Sequence, residues 1–288
     1  MSVTDIRTHA TAPDEDAPEP PAARPRRRLQ LRSWLPPLLV FLALIALWYA
    51  ITYGLLDEQR RFLLPPPHQV ITDALFDWTT LERMLVALGR TARVAFVGLA
   101  IAIVIGMGWA VAMSQARWVE RSLFPYAVAL QCIPILALVP LIGFWFDFGF
   151  LSRTIVCVLI SLFPIVSNTL FGLQSVDKGQ RDVFALHGSS RWTTLRKLEF
   201  PAAMPAIFAG FRIAAGLSVI GAIVGDLFFK QGDPGLGILI DNYRARLQSP
   251  ELFLAIIIAS LFGIVVFTFF GWLANRVVGR WYDTSKAR

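Results

Sequence analysis

The residues of this chain that could do chemistry are few, and most stand where polar groups are costly. Arg212 and Asp226 interrupt an apolar run, and Gln131, Ser161, Asn168 and Ser218 punctuate others. A charge near the bilayer centre costs roughly 2.5–3.5 kcal/mol on insertion scales, so such residues mark either a pathway or a polar joint between helices. Arg212 and Asp226 are fourteen residues apart, about 21 Å along a helix at 1.5 Å per residue, so they cannot pair on one straight helix. Arg212 is expected to reach the inner interface or the polar segment of residues 177–201. Asp226 is expected at the outer end, either anchoring the structure or facing a water-filled vestibule. Gln131, Asn168 and Ser218 are pathway candidates or interhelical hydrogen-bond partners. Pro134 could open a local break where a path passes.

Bond-making chemistry lacks its groups. The three histidines do not cluster, and no Glu/His metal motif or Ser/His couple falls within the apolar runs. Cys132 and Cys157 fit neither a disulfide framework nor a zinc spacing, and read as small packed hydrophobes. The sequence holds no Gly-x-x-x-x-Gly-Lys-Ser/Thr phosphate loop. We therefore expect no catalytic residue, metal or cofactor site. An ion-coupled carrier or channel remains the alternative to an ATP-driven machine, but the chain lacks an obvious intramembrane carboxylate relay.

The elements that must position these residues are membrane helices. The chain is 56% hydrophobic and 16% charged, against about 25% charged in soluble domains. Charge-free runs at 33–56, 94–113, 122–146, 154–176 and 252–274, with a sixth near 206–229, each reach the roughly 20 residues a crossing needs. The expected fold is all-α with six transmembrane helices. From Arg24 onward, one set of connecting segments carries sixteen Lys and Arg and the other nine. The positive-inside rule then puts both termini in the cytoplasm. The net charge of +7 reads as inner-face arginines. No groove-reading motif points to nucleic acid. Residues 1–32, rich in proline and charge, are expected to be a disordered cytoplasmic tail. Residues 33–93 hold the first span and an outer segment, 94–275 the core, and 276–288 a cytoplasmic tail. In the outer segment, Val70, Ile71, Ala74, Leu75 and Trp78 have helical spacing and predict a short helix along the interface. Residues 230–250 predict a turn and a short helix.

Between the fourth and fifth spans lies a polar segment, residues 177–201, placed in the cytoplasm by this topology. It predicts one helix over 179–187 and another over 190–199. Gly188 supplies the turn and Ser189 or Ser190 the cap. Leu186, Trp192, Leu195, Leu198 and Phe200 form an apolar side, and Arg181, Arg191, Arg196 and Lys197 a basic one. Such a pair can rest on anionic lipid or dock a soluble subunit.

This segment resembles the coupling loop of ABC importer permeases: Glu-Ala-Ala, three residues, Gly, nine residues, Ile, one residue, Leu-Pro. Asp182, Val183 and Phe184 stand at the Glu-Ala-Ala places, Gly188 at the Gly, and Leu198, Phe200 and Pro201 at Ile, Leu and Pro. Asp for Glu and the bulky Phe184 for Ala depart from the pattern and leave its spacing intact. The resemblance runs over about residues 63–282. Residues 131–146 are similar to the third-span signature of the nitrate/sulfonate/taurine branch. Residues 163–168 and Gly210-Phe211-Arg212 also fit that branch. Gly225-Asp226 stands where it has Ala-Glu, and Gly235-Leu236-Gly237 matches its outer turn. Thiamine-precursor and riboflavin-type permeases share much of this pattern.

The resemblance implies a type I importer permease in the bacterial inner membrane, with no hydrolytic residues of its own. It implies two ATPase subunits that hold ATP and Mg and engage Asp182, Val183, Phe184, Gly188, Arg191, Leu198, Phe200 and Pro201. A second permease subunit, most often an identical copy, and an extracytoplasmic binding protein complete the machine. The cargo stays open.

Overall fold

A computed structural model describes residues 31–279. The expected tail over 1–30 and the chain beyond residue 279 lie outside the described residues. Among the described residues every regular element is a helix. The first, α1 (Leu31–Ala50), continues as a π-helical turn at Ile51–Leu55. Its large side chains from Leu35 to Leu47, Ile45 excepted, are exposed, a composition suited to lipid contact. The chain from Trp48 onward forms a separate compact unit.

In that unit a 3-10 turn, Glu58–Leu63, precedes α2 (Pro67–Gln69) and a π-helical turn, Val70–Leu75. The short helix expected here is present, and one side of it is turned into the protein. Val70 and Ala74, one turn apart, are buried against Met84, Ala87, Leu254 and Ala255, while Ile71, Leu75 and Trp78 stay exposed. Two of the five residues of the apolar stripe belong to the protein core.

Helix α3 (Trp78–Ser114) starts sixteen residues before the expected 94. Glu82, Arg83 and Arg93 are exposed on it. Charge ends an apolar window but need not end a helix when the charged side chains point outward. Its start is set by Asp77, whose carboxylate accepts from the Thr79 amide at 3.2 Å and from the Thr80 hydroxyl at 2.6 Å. The Thr79 and Thr80 hydroxyls hold this exposed carboxyl below its ordinary pKa. A depressed folded value stabilises above the unfolded pKa, and the benefit is lost as pH falls through the folded one. Amide exchange in the first turn of α3, corrected for intrinsic rates, should stay flat from pH 7 to 5 and quicken only below the usual carboxylate range.

Helices α4 (Arg117–Cys132) and α5 (Ile135–Phe146) meet at 98° across Ile133 and Pro134. The expected third span is thus a broken one. With it, the five continuous spans make six. Then follow α6 (Phe150–Gln174), α7 (Lys178–Leu186), α8 (Arg191–Thr194), α9 (Phe200–Phe228), α10 (Leu236–Ala245) and α11 (Ser249–Val278). A π-helical turn, Leu195–Glu199, joins α8 to α9. The expected separate helix over 190–199 is therefore the first part of one rod, Arg191–Phe228.

Helices α3, α6 and α9 form the centre, lined by Val94, Leu99, Ile165, Ala214, Ala215 and Val219. Small residues set their spacing. A Cβ on Gly98 would lie 2.5 Å from the Cys157 sulfur, and one on Gly221 would lie 2.9 Å from the Cys157 Cα. Cys157 is fully buried where the three helices touch, the close contact that small residues permit in membrane bundles.

Candidate functional site

Two polar constructions stand at opposite ends of this bundle, with a cavity between them. At the outer end, Asp226 near the close of α9 and Arg153 near the start of α6 are both buried, with the Arg153 guanidinium 3.0 Å from Asp226 Oδ1. The Thr91 hydroxyl donates to Asp226 Oδ2 at 2.6 Å and accepts from the Leu236 amide at 2.8 Å. Arg153 also donates to three carbonyls of the turn after α9: Phe229 at 2.7 Å, Gln231 at 2.6 Å and Asp233 at 3.1 Å. A buried ion pair repays its desolvation only when further hydrogen bonds fill the remaining valences, as they do on this guanidinium. Gly235 and Gly237 let the turn close: a Cβ on Gly235 would overlap the Asp226 carboxylate, and one on Gly237 would lie 2.6 Å from Asp226 Cβ.

Of the two expectations for Asp226, this arrangement fits the anchor and not the residue facing a vestibule or path. Its side chain has no exposed surface, so it serves as a lock between α3, α6, α9 and the outer turn. Arg153, counted in sequence among the outer-loop charges, is its partner. The available signal was depth: Arg153 opens the fourth apolar run and Asp226 closes the fifth, which brings both to the same face. Arg212 also finds its partner on another helix. Its guanidinium lies 4.0 Å from the centre of the Phe267 ring, on α11, a cation–π contact.

At the other end is the loop of 177–201. Helix α7 ends in a Schellman motif: the Gly188 amide donates to Ala185 O and the Ser189 amide to Phe184 O, both at 3.0 Å. Gly188 has φ +66°, the left-handed conformation that this motif needs and glycine adopts without a Cβ penalty. Ser190 caps the next helix, its hydroxyl accepting from the Thr193 amide at 3.2 Å.

The roots of the loop are tied to the bundle. Arg181 donates to Leu173 O at 2.9 Å and lies 3.4 Å from Glu199, while Arg191 donates to Gln115 O at the end of α3. The predicted apolar side divides. Leu195 is buried with Leu173, Ala203 and Ile207; Leu198 and Phe200 are half-buried; Leu186 and Trp192 are 87% and 67% exposed. Asp182, Val183, Gly188 and Pro201 are also exposed, and Phe184 is half-buried. The outward set, with the exposed Arg191, Arg196 and Lys197, forms a mixed apolar and charged knob on a braced base. Sequence reasoning missed Gln115 and the bracing use of Arg181.

Of the remaining path candidates, Ser218 is buried and donates to Ala215 O at 2.8 Å, and Asn168 donates to Pro164 O at 2.8 Å. Gln131 and Pro134 are exposed at the break between α4 and α5. Gln131 opens into a cavity of about 260 Å³ shared with α6 and α9. Among the described residues no group of three or more His, Cys, Asp or Glu is placed to hold a metal.

Comparison with known proteins adds the following. Residues 98–280 match the binding-protein-dependent transport system inner membrane component family. The chain is 33% identical to the formylaminopyrimidine transport permease protein of Halalkalibacterium halodurans, over 81% of this chain and 90% of that one. It is 35% identical to the riboflavin transport system permease protein of Chloroflexus aurantiacus, over 58% and 62%. It is 29% identical to a putative aliphatic sulfonates transport permease protein of Escherichia coli, over 82% and 86%. A solved amino acid ABC transporter chain superposes with TM-score 0.56 at 20% identity, covering 73% of this chain and 99% of that one, a likeness of fold.

Proposed function

We propose, from the premise that this chain belongs to the binding-protein-dependent transport system inner membrane component family and is a membrane-spanning permease subunit of an ABC importer, that the loop of 177–201 is where an ATPase docks. The observation that carries this reading is the contrast within the loop. Its base is braced by Arg181 and Arg191, while Val183, Leu186 and Trp192 stand exposed at its tip. Exposed aromatic and aliphatic anchors on a rigid support suit a protein contact. A helix lying on lipid needs no Schellman turn or tie to α3.

In this reading two ATPase subunits bind and hydrolyse Mg-ATP. Asp182, Val183, Phe184, Gly188 and Arg191 lie at or beside the contact, and Leu198, Phe200 and Pro201 carry movement into α9. Because α8, the π-helical turn and α9 form one rod, closure of the ATPases shifts the fifth span as a largely rigid body. A second copy of this chain completes the path, and an extracytoplasmic binding protein delivers a small solute of the kinds named for the relatives.

The test is cross-linking in membranes that contain the co-expressed ATPase. Val183→Cys should form a disulfide-range cross-link with an ATPase subunit, and Asn242→Cys on α10, at the opposite end, should not. The reverse pattern would remove the docking assignment.

A further inference from the structure

The break in the third span exposes backbone at a depth where water is absent. Non-helical backbone is tolerated there only if it is buried in protein or lines a cavity. The residues flanking the break, Gln131 and Ile135, do line one, of about 260 Å³, whose wall also includes Leu130, Ile160, Phe163, Pro164 and Leu217. From Ser122 to Cys132 and from Thr154 to Pro164 are ten residues each. At 1.5 Å per residue both stretches span about 15 Å, half of the roughly 30 Å hydrocarbon thickness. The cavity therefore sits near the bilayer midplane.

Its chemistry follows from two prolines. Proline has no amide hydrogen, so the carbonyl four residues earlier loses its helical donor. Pro134 does this to Leu130 and Pro164 to Ile160, and both residues line the cavity. Gln131 adds an amide that donates and accepts. Ile135, the first residue of α5, stands on the same wall, and its amide is one that helix geometry leaves without an intrahelical partner. No Lys, Arg or His lines the space. The end of α4 and the start of α5 bring opposite partial charges to one point. An inorganic anion would find uncompensated carbonyls beside every donor. A neutral edge with adjacent donors and acceptors finds both matched, and Phe163, Ile160 and Leu217 offer apolar surface to a flat ring.

We propose that this cavity is a midplane cargo subsite selective for a neutral, planar, nitrogen-containing ring over small oxyanions, with Gln131 as its specificity-determining residue. The proposal rests on the importer reading above and narrows its cargo.

The test uses the full chain, co-purified with its ATPase and placed in lipid nanodiscs. Saturation-transfer NMR is run with 4-aminopyrimidine and with ethanesulfonate. We expect transfer to 4-aminopyrimidine and none to ethanesulfonate. Gln131→Leu should weaken the ring's binding about tenfold, the scale of a lost buried hydrogen bond, and Leu217→Trp should abolish it by filling the space. Absence of transfer to 4-aminopyrimidine in the wild type overturns the proposal. So does transfer that both variants leave unchanged, or Gln131-dependent transfer to ethanesulfonate. Failure of the ATPase to co-purify with the wild-type chain overturns the importer reading instead, and the two failures are read separately.

Discussion

Arg153→Met is expected to destabilise the outer half of the bundle more than any other single substitution in this chain. The change removes the cation from a fully buried Asp226 and the donors from the carbonyls of Phe229, Gln231 and Asp233. Breaking one partner out of a buried ion pair costs about 3–5 kcal/mol, because the other charge is left uncompensated. In a detergent-solubilised chain this should appear as a large fall in the unfolding midpoint and poor recovery from membranes.

Asp226→Asn should cost less, since an amide oxygen can still accept from Thr91. The double variant Arg153→Met/Asp226→Asn should recover part of the loss but not all of it, because the turn carbonyls remain without donors. That non-additivity separates a coupled lock from two independent sites. If Arg153→Met unfolds with the wild-type midpoint, or if the single effects simply add, the lock does not hold the outer turn.

The lock shows where sequence reading reaches and where it stops. The apolar runs were legible because span length and charge avoidance are local properties, and five of the six appear as continuous helices over all or nearly all of their length. The Gly188 turn was legible because a Schellman cap leaves a glycine at a fixed place in the chain. Pairing between Arg153 and Asp226 was not, because a window of hydropathy treats each charge by its own neighbours. Asp226 was compared with Arg212 on its own helix, although the partner that matters comes from another helix at the same depth. The extent of α3 was hidden for a related reason. Glu82, Arg83 and Arg93 ended the apolar window, whereas in three dimensions they occupy the outer side of an uninterrupted helix. The division of the loop's apolar face, with Leu195 inward and Trp192 outward, depends on the π-helical turn that fuses α8 to α9. No residue type in the loop announces that turn.

Gly188→Trp is expected to leave the chain in the membrane and uncouple it from its ATPase. Gly188 sits at φ +66° with no atom near the position a Cβ would occupy. The substitution therefore meets no clash within the chain, and its internal cost is the left-handed backbone penalty of roughly 1–2 kcal/mol for a residue with a Cβ. That penalty is paid locally, at the tip of a loop whose base is tied by Arg181 and Arg191. What the indole does fill is the open space at the tip of the loop, where the docking reading puts the partner. Uptake in reconstituted vesicles should fall at least about tenfold, corresponding to 1.4 kcal/mol or more of lost contact. ATPase recovery on affinity purification should fall with it. Two companions divide the backbone from the contact. Gly188→Asn tolerates the left-handed conformation and adds little bulk, so it should transport nearly as well as wild type. Gly188→Ala carries the backbone penalty alone and should fall between the two. Equal ATPase recovery and equal transport for Gly188→Trp and wild type would show that the tip touches no partner and that the loop's exposed apolar residues serve the lipid surface instead.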